Sequence, residues 1–241
     1  MGMLFCLSAA NATARDLPAV PPFVGETPAQ TVARAALLKA IVGVGKPLSD
    51  QVLKAMAIVP RHLFMAPGNA DKAYDNDNIA IGWGQTITRP SSVANMTEQL
   101  KLTATDRVLE VGTGSGYHSS VMSQITPNVF TIEIVKPLAE RTHALLRRIG
   151  YDRNIHFTIG DGYEGWKENA PYDKIVVTCA ADHIPLPLIQ QLKPGGVMLI
   201  PVGAPFSQQK IYLIEKDAEG AVKKKVIGAG QYVPMLRKWG N

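Results

Sequence analysis

The segment Val108-Leu109-Glu110-Val111-Gly112-Thr113-Gly114-Ser115-Gly116-Tyr117-His118-Ser119-Ser120 constrains the fold more than any other stretch of the chain. Residues of strand character run into three alternating glycines and then into a helix-forming stretch. Glycine accepts positive φ and lets a ligand approach the backbone without meeting a Cβ. A strand, a glycine turn and a helix in this order open a βαβ unit, and so call for a parallel neighbouring strand.

The remainder of the chain supplies those neighbours. Strands are expected at 107–111, 129–134, 155–159, 174–179 and 197–202. Helices fall between them, notably at 137–149, with Pro137 in the first turn, and at 186–192. This alternation implies an α/β, doubly wound, mostly parallel sheet with helices on both faces. Two final strands, 210–216 and 222–229, flank Asp217-Ala218-Glu219-Gly220, a hairpin signal. They complete a seven-stranded sheet with an antiparallel C-terminal hairpin. Ahead of the core, helices are expected at 29–42, at 51–58 behind a Ser49-Asp50 cap, and at 91–100. A polar loop (71–78) and a glycine-bearing segment (79–90) lie between the last two.

With 241 residues, 46% hydrophobic and 19% charged, the chain belongs with ordinary globular proteins of one large domain. The net charge of +5 is dispersed, which argues against a nucleic-acid or membrane arm. Lys223-Lys224-Lys225 reads as a solvated strand edge. Two cysteines make no disulfide framework, and Cys179, ending an apolar run, reads as a buried inert thiol. The five histidines are scattered, so no metal site is expected. Met3 to Ala10 is apolar and Ala10-Asn11-Ala12 has the form of a signal-peptidase site, but a positively charged start is missing. A flexible leader or signal-peptide remnant is therefore expected over 1–22.

Acidic residues at successive strand ends say what the glycine turn could hold. Glu133, followed by Ile134, ends the second core strand, where a carboxylate can accept both ribose hydroxyls of a nucleoside. Asp161-Gly162 follows the third, where an acid can take an adenine amino group while glycine lets the base pack close. A dinucleotide fits less well. Its fingerprint places the third glycine one residue later, and Glu110 would repel a diphosphate while suiting an ammonium and a sulfonium. The residues point to S-adenosylmethionine, held by Glu110, Gly112, Thr113, Gly114, Ser115, Gly116, Glu133, Ile134, Asp161 and Gly162. Helix capping by Glu133 and a simple turn at Asp161 are the structural alternatives.

From about Thr31 to Met235 the chain resembles the protein-L-isoaspartate O-methyltransferases. Pro60-Arg61-His62-Leu63-Phe64, Ala73-Tyr74, Gly160-Asp161-Gly162-Tyr163-Glu164-Gly165-Trp166, Lys193-Pro194-Gly195-Gly196 and Tyr232-Val233-Pro234 carry the likeness. The most specific piece is Gly82-Trp83-Gly84-Gln85-Thr86-Ile87-Thr88-Arg89-Pro90. The resemblance implies a Rossmann-like class I methyltransferase fold in one domain over 23–241. Within it, 23–106 would supply the N-terminal helices and substrate-side loop, and 107–241 the cofactor-binding core. It also implies methyl transfer to the α-carboxylate of L-isoaspartyl residues in damaged proteins. The ester then closes to a succinimide whose hydrolysis returns some normal aspartyl linkage.

An α-carboxylate with a pKa near 3.5 is already ionised at neutral pH, so no general base is required. In the substrate loop the family generally has serine where this chain has Thr88, and a small or neutral residue where it has Arg89. The resemblance makes Thr88 the catalytic-loop hydroxyl and places Gln85, Thr86, Ile87 and Arg89 against the substrate. The two departures keep open a related enzyme acting on another peptide carboxylate, or a silent S-adenosylmethionine-binding protein. Isoaspartyl peptides are the expected partners, without nucleic acid or membrane. A monomer is expected, in the cytoplasm where the cofactor is made, with export as the alternative if the leader is a signal remnant.

Overall fold

The computed structural model describes residues 16–45, 47–205 and 207–237; Cys6 and Ala10-Asn11-Ala12 lie outside the described residues. Three N-terminal helices come first: α1 (Pro28–Val42), α2 (Asp50–Ile58) and α3 (Pro90–Leu100). Local sequence explains their starts. Thr27 and Gln30 form a reciprocal capping box ahead of Pro28, and Ser49 accepts the Val52 N–H. Between α2 and α3 lies a small antiparallel hairpin, β1 (Ile79–Gly82) and β2 (Gln85–Ile87).

The core alternates as expected: β3 (Val108–Val111), α4 (Tyr117–Met122), β4 (Val129–Glu133), α5 (Lys136–Ile149), β5 (Ile155–Ile159), β6 (Tyr172–Val177), α6 (Leu186–Gln191) and β7 (Leu192–Val202). The hairpin β8 (Gln209–Lys216) and β9 (Val222–Gly230) closes the chain. The sheet order is β5-β4-β3-β6-β7-β8-β9. β3 to β7 run parallel, and β8 and β9 add antiparallel strands at the edge, as the sequence predicts. Lys223, Lys224 and Lys225 are exposed on β9, the edge strand.

Alternation along the strands builds two apolar layers. Val108, Val129, Ile155, Val176 and Leu199 face the layer shared with α1 to α5. Leu109, Phe130, Ile175, Val177 and Met198 face the other, which Leu188 of α6, Tyr163 and Met235 cover. Both faces are covered, but the helices divide unequally: five share the first layer and α6 packs on the second. The strand order reverses between β4-β3 and β6, so the carboxyl ends of β3 and β6 border the crevice where such sheets take ligands.

Pro21, ahead of α1, is tied to the N-terminal helices. Buried Arg34 donates to the carbonyls of Pro21 (2.7 Å), Ala57 (2.7 Å) and Ile58 (2.9 Å), and to the Glu26 carboxylate. None of the described helices is long and apolar enough to cross a membrane.

Candidate active site

A cavity opens at the carboxyl ends of β3, β4 and β6. Its floor is the glycine turn, with Glu110, Gly112, Thr113, Gly114 and Ser115 lining it together with Glu133, Ile134 and Gly162. Gln85, Thr86, Ile87 and Thr88 of the β1–β2 segment form one wall, and Val233 to Leu236 another. The fold therefore brings the nucleoside-type turn and the family-specific loop to a single cavity.

The turn needs its glycines for different reasons. Gly112, Gly114 and Gly116 all have positive φ, at 94°, 54° and 82°. A Cβ on Gly112 would meet Thr178 Oγ1 at 2.5 Å, and that hydroxyl donates to the Gly112 carbonyl at 2.6 Å. Gly116 turns away from the cavity, where a Cβ would meet Thr142 Cγ2 at 2.9 Å. Its role is to bring the chain into α4 against α5. Gly114 has open space around its Cα apart from the tip of Ile81 at 3.8 Å.

Glu110 is fully buried on the cavity floor. Ser119 and Thr131 both donate hydroxyls to its Oε2, the latter at 2.7 Å, while Oε1 has no hydrogen-bond partner. Burial pushes its carboxyl up to about 7, against those hydrogen bonds, with the nearby Glu133 charge adding to the rise. Beside it, the buried His118 ring is pushed down to about 4 by desolvation. Thr97 gives its proton to the Val93 carbonyl at 2.8 Å, so at 3.0 Å it receives the His118 Nε2–H. The His118 Nδ1 lone pair then faces Glu110 Oε1 at 4.0 Å. Two acceptors converge on one place, which suits a cationic donor.

Glu133 accepts three backbone N–H groups: Gly114 at 2.8 Å on Oε2, and Ile134 and Val135 at 3.0 and 2.9 Å on Oε1. It fastens β4 to the glycine turn, and a carboxylate with about four acceptor sites retains capacity for a ligand hydroxyl. Asp161 receives the Tyr163 N–H at 2.9 Å, the turn role raised by the sequence, and is not among the residues lining the cavity. Its neighbour Gly162 does line it. A Cβ there would lie 2.4 Å from Val111 Cγ1, so only glycine lets this turn pack on the end of β3.

On the opposite wall, β1 and β2 are joined by Trp83 (φ 52°) and Gly84 (φ 70°), a two-residue turn in which both residues have positive φ. Trp83 is held there under Arg141, whose guanidinium sits 5.0 Å from the ring centroid and donates to the Ile81 carbonyl at 2.9 Å. Buried Arg61 donates to the carbonyls of Ala73 (2.8 Å), Thr88 (2.9 Å) and Asp77 (3.1 Å), pinning the loop that presents Thr88. Thr88 lines the cavity, whereas Arg89 does not; it lines an adjoining cleft. The Arg89 N–H donates to Asn78 Oδ1 at 2.8 Å and its residue caps α3, so its side chain departs in another direction.

His118 and Thr178 also line the cavity without a signal in the sequence, and Val233-Pro234, part of the family likeness, belongs to a strap (Val233–Leu236) that forms its wall. His118 is visible only as the residue after Gly116-Tyr117, with nothing to mark its partner Thr97. The strap reaches the cavity through a bridge between Ala180 and Pro234, in which Ala180 N–H donates to Val233 O and Met235 N–H to Ala180 O, both at 2.8 Å. Cys179 lies on the cavity wall, buried, and burial pushes its thiol up, as an inert thiol requires. No group of metal-ligating side chains occurs among the described residues.

These residues fit S-adenosylmethionine. An unpaired buried carboxylate oxygen suits the ammonium or sulfonium, the open face of Gly114 admits close approach, and Glu133 borders the same space. The comparisons agree. Residues 33–240 match the protein-L-isoaspartate(D-aspartate) O-methyltransferase family. The chain is 49% identical over 193 residues to protein-L-isoaspartate O-methyltransferase 2 of Syntrophobacter fumaroxidans, covering 80% of this chain and 78% of that one. It is 48% identical over 192 residues to the Polaromonas protein of the same name, covering 79% and 90%. Among solved structures, a protein-L-isoaspartate O-methyltransferase superposes with a TM-score of 0.74 at 28% identity, over 83% of this chain and 65% of that one. A Plasmodium falciparum chain in complex with S-adenosyl-L-homocysteine shares the fold, with a TM-score of 0.73 at 22% identity over 87% of this chain and 99% of that one. The chain belongs to the protein-L-isoaspartate(D-aspartate) O-methyltransferase family.

Proposed function

We propose that this chain transfers a methyl group from S-adenosylmethionine to the α-carboxylate of L-isoaspartyl residues in damaged proteins and peptides. The observation that carries the reading is one cavity lined by both Glu110-to-Ser115 and Gln85-to-Thr88. Bound there, the cofactor supplies an electrophilic methyl carbon on a sulfonium sulfur. Glu110, with His118 beside it, would hold the cationic end. Glu133, Ile134 and Gly162 would border the nucleoside, and Asp161 would shape the turn that meets the base. The strap at Val233–Leu236, with Met235 buried, and the β1–β2 segment would limit water at the site. Thr88 would orient the acceptor carboxylate, with Gln85, Thr86 and Ile87 holding the peptide beside it.

The acceptor is ionised at neutral pH, so the chain need move no proton, and alignment with exclusion of water supplies the catalysis. This agrees with a site whose histidine is neutral and whose thiol is inert. Action in the cytoplasm, as a monomer and without nucleic acid, completes the proposal. Incubation with methyl-labelled cofactor and paired isoaspartyl and aspartyl peptides tests it. Label in the isoaspartyl peptide alone is expected. Cofactor binding without transfer to either peptide would refute it.

A further inference from the structure

Thr88 lines two cavities at once: the one just described and a second, polar cleft between the start of α3 and the ends of β8 and β9. Asn78, Gln208, Gln231 and Tyr232 border that cleft with Arg89, which among the described residues is the only charged group lining it. Arg89 is exposed, and among the described residues no carboxylate pairs with it. Its backbone is fixed at the start of α3, through the Asn78 bond and through Ser92 and Val93, whose N–H groups donate to the Arg89 carbonyl at 3.1 and 3.2 Å.

We propose that Arg89 is a specificity residue that reads an acidic side chain adjacent to the isoaspartyl residue, in the cleft beyond Thr88. The proposal rests on the isoaspartyl reading of the main cavity. Thr88 borders both cavities, and successive residues of an extended chain advance only about 3.3–3.6 Å, so the residue flanking an isoaspartate held at Thr88 is within reach of the cleft. The flanking side chain then falls beside the residue that follows Thr88. Since Arg89 faces this cleft and not the methyl-transfer cavity, it leaves the acceptor carboxylate unpaired and free to react. An exposed guanidinium meeting a carboxylate in a wet cleft gives a modest, salt-sensitive preference.

The test uses isoaspartyl peptides that differ only in carrying Glu, Gln or Lys immediately before, or immediately after, the isoaspartate. Wild type is expected to show a KM for the Glu peptide about twofold to fivefold below that for the Gln peptide, on one of the two sides. The Lys peptide should be poorer still, and the spread should narrow in high salt. Arg89→Gln should bring the ratio of Glu to Gln peptides to one, and Arg89→Glu should invert the preference toward Lys. Equal methylation of all peptides by wild type overturns the assignment of Arg89 and leaves the isoaspartyl reading standing. A preference that persists unchanged in Arg89→Gln does the same, and failure to methylate any of the peptides takes down both.

Discussion

His118 Nδ1 and Glu110 Oε1 face each other across 4.0 Å, both as acceptors, on the floor of the cavity at the carboxyl ends of β3, β4 and β6. Burial disfavours a charge on either group, pushing the carboxyl up to about 7 and the imidazole down to about 4. Near neutral pH the protein therefore holds a carboxyl close to its midpoint beside an uncharged ring. A cationic ligand at this place favours the ionised carboxylate.

Glu110→Gln separates the two consequences. Glutamine can keep the Ser119 and Thr131 bonds through its carbonyl while removing the buried charge. In the free protein the carboxyl is raised above its unfolded value, so its contribution to stability is fully present at low pH. That contribution is lost as pH rises from about 4.5 to about 7. The shift corresponds to roughly 3 kcal/mol across that window. Wild type should therefore lose thermal stability relative to the glutamine variant between pH 5 and pH 8, while the variant binds S-adenosylmethionine more weakly. A variant that tracks wild type across this range in calorimetry would contradict the assignment.

Glu133→Gln should weaken both the turn and cofactor binding. One amide oxygen cannot replace the acceptors now serving Gly114, Ile134 and Val135, and the amide nitrogen would face an N–H group. Each buried donor left unpaired costs about 1–3 kcal/mol. Denaturant midpoints should fall and the calorimetric Kd for the cofactor should rise together; a change in stability alone would restrict Glu133 to a structural role.

Arg61→Lys tests how the acceptor loop is held. Lysine has no planar fork to span the carbonyls of Ala73, Asp77 and Thr88. Losing charge-assisted bonds in a buried place should cost on the order of 3 kcal/mol. Because the Thr88 carbonyl is released, KM for an isoaspartyl peptide should rise by more than the Kd of the cofactor, measured well below the unfolding temperature. Equal changes in both would mean that Arg61 supports the fold in general.

The core strands were legible because strands buried on both faces of a parallel sheet carry stretches of apolar residues, as at Ile175-Val176-Val177 in β6 and at Val129 to Ile132 in β4, where Thr131 is the one polar residue. The β1–β2 hairpin was not. Its turn puts Trp83 at positive φ, a place where sequence rules expect Asn, Asp or Gly, and only Arg141 over the ring shows why Trp83 stays there. The start of β7 was hidden too, since Lys193-Pro194-Gly195-Gly196 reads as a loop yet carries the chain from Leu192 to Val197 through a register shift against β6. In the site, the glycine turn and Glu133 were visible from strand ends. His118 and the strap at Val233–Leu236 depend on tertiary neighbours far along the chain. Arg89 shows the limit from the other side: adjacent to Thr88 in sequence, it is turned into a different cleft by the start of α3 at Pro90.

Thr88 carries the last prediction. If its hydroxyl donates to the acceptor carboxylate, it binds a full negative charge in the ground state. That charge is dissipated as the ester forms, so the bond weakens along the reaction and its benefit lies in binding and alignment. Thr88→Val keeps the shape and removes the donor; KM for the isoaspartyl peptide should rise about tenfold or more, the worth of a hydrogen bond to a charged group, with a smaller change in kcat. Thr88→Ser keeps the donor and relaxes χ1, so it should hold or raise turnover. Steady-state kinetics on one peptide distinguish the cases. A large fall in kcat at constant KM in Thr88→Val would assign the hydroxyl to the transition state, and a large loss in Thr88→Ser would show that the γ-methyl of Thr88 shapes the site for a different acceptor.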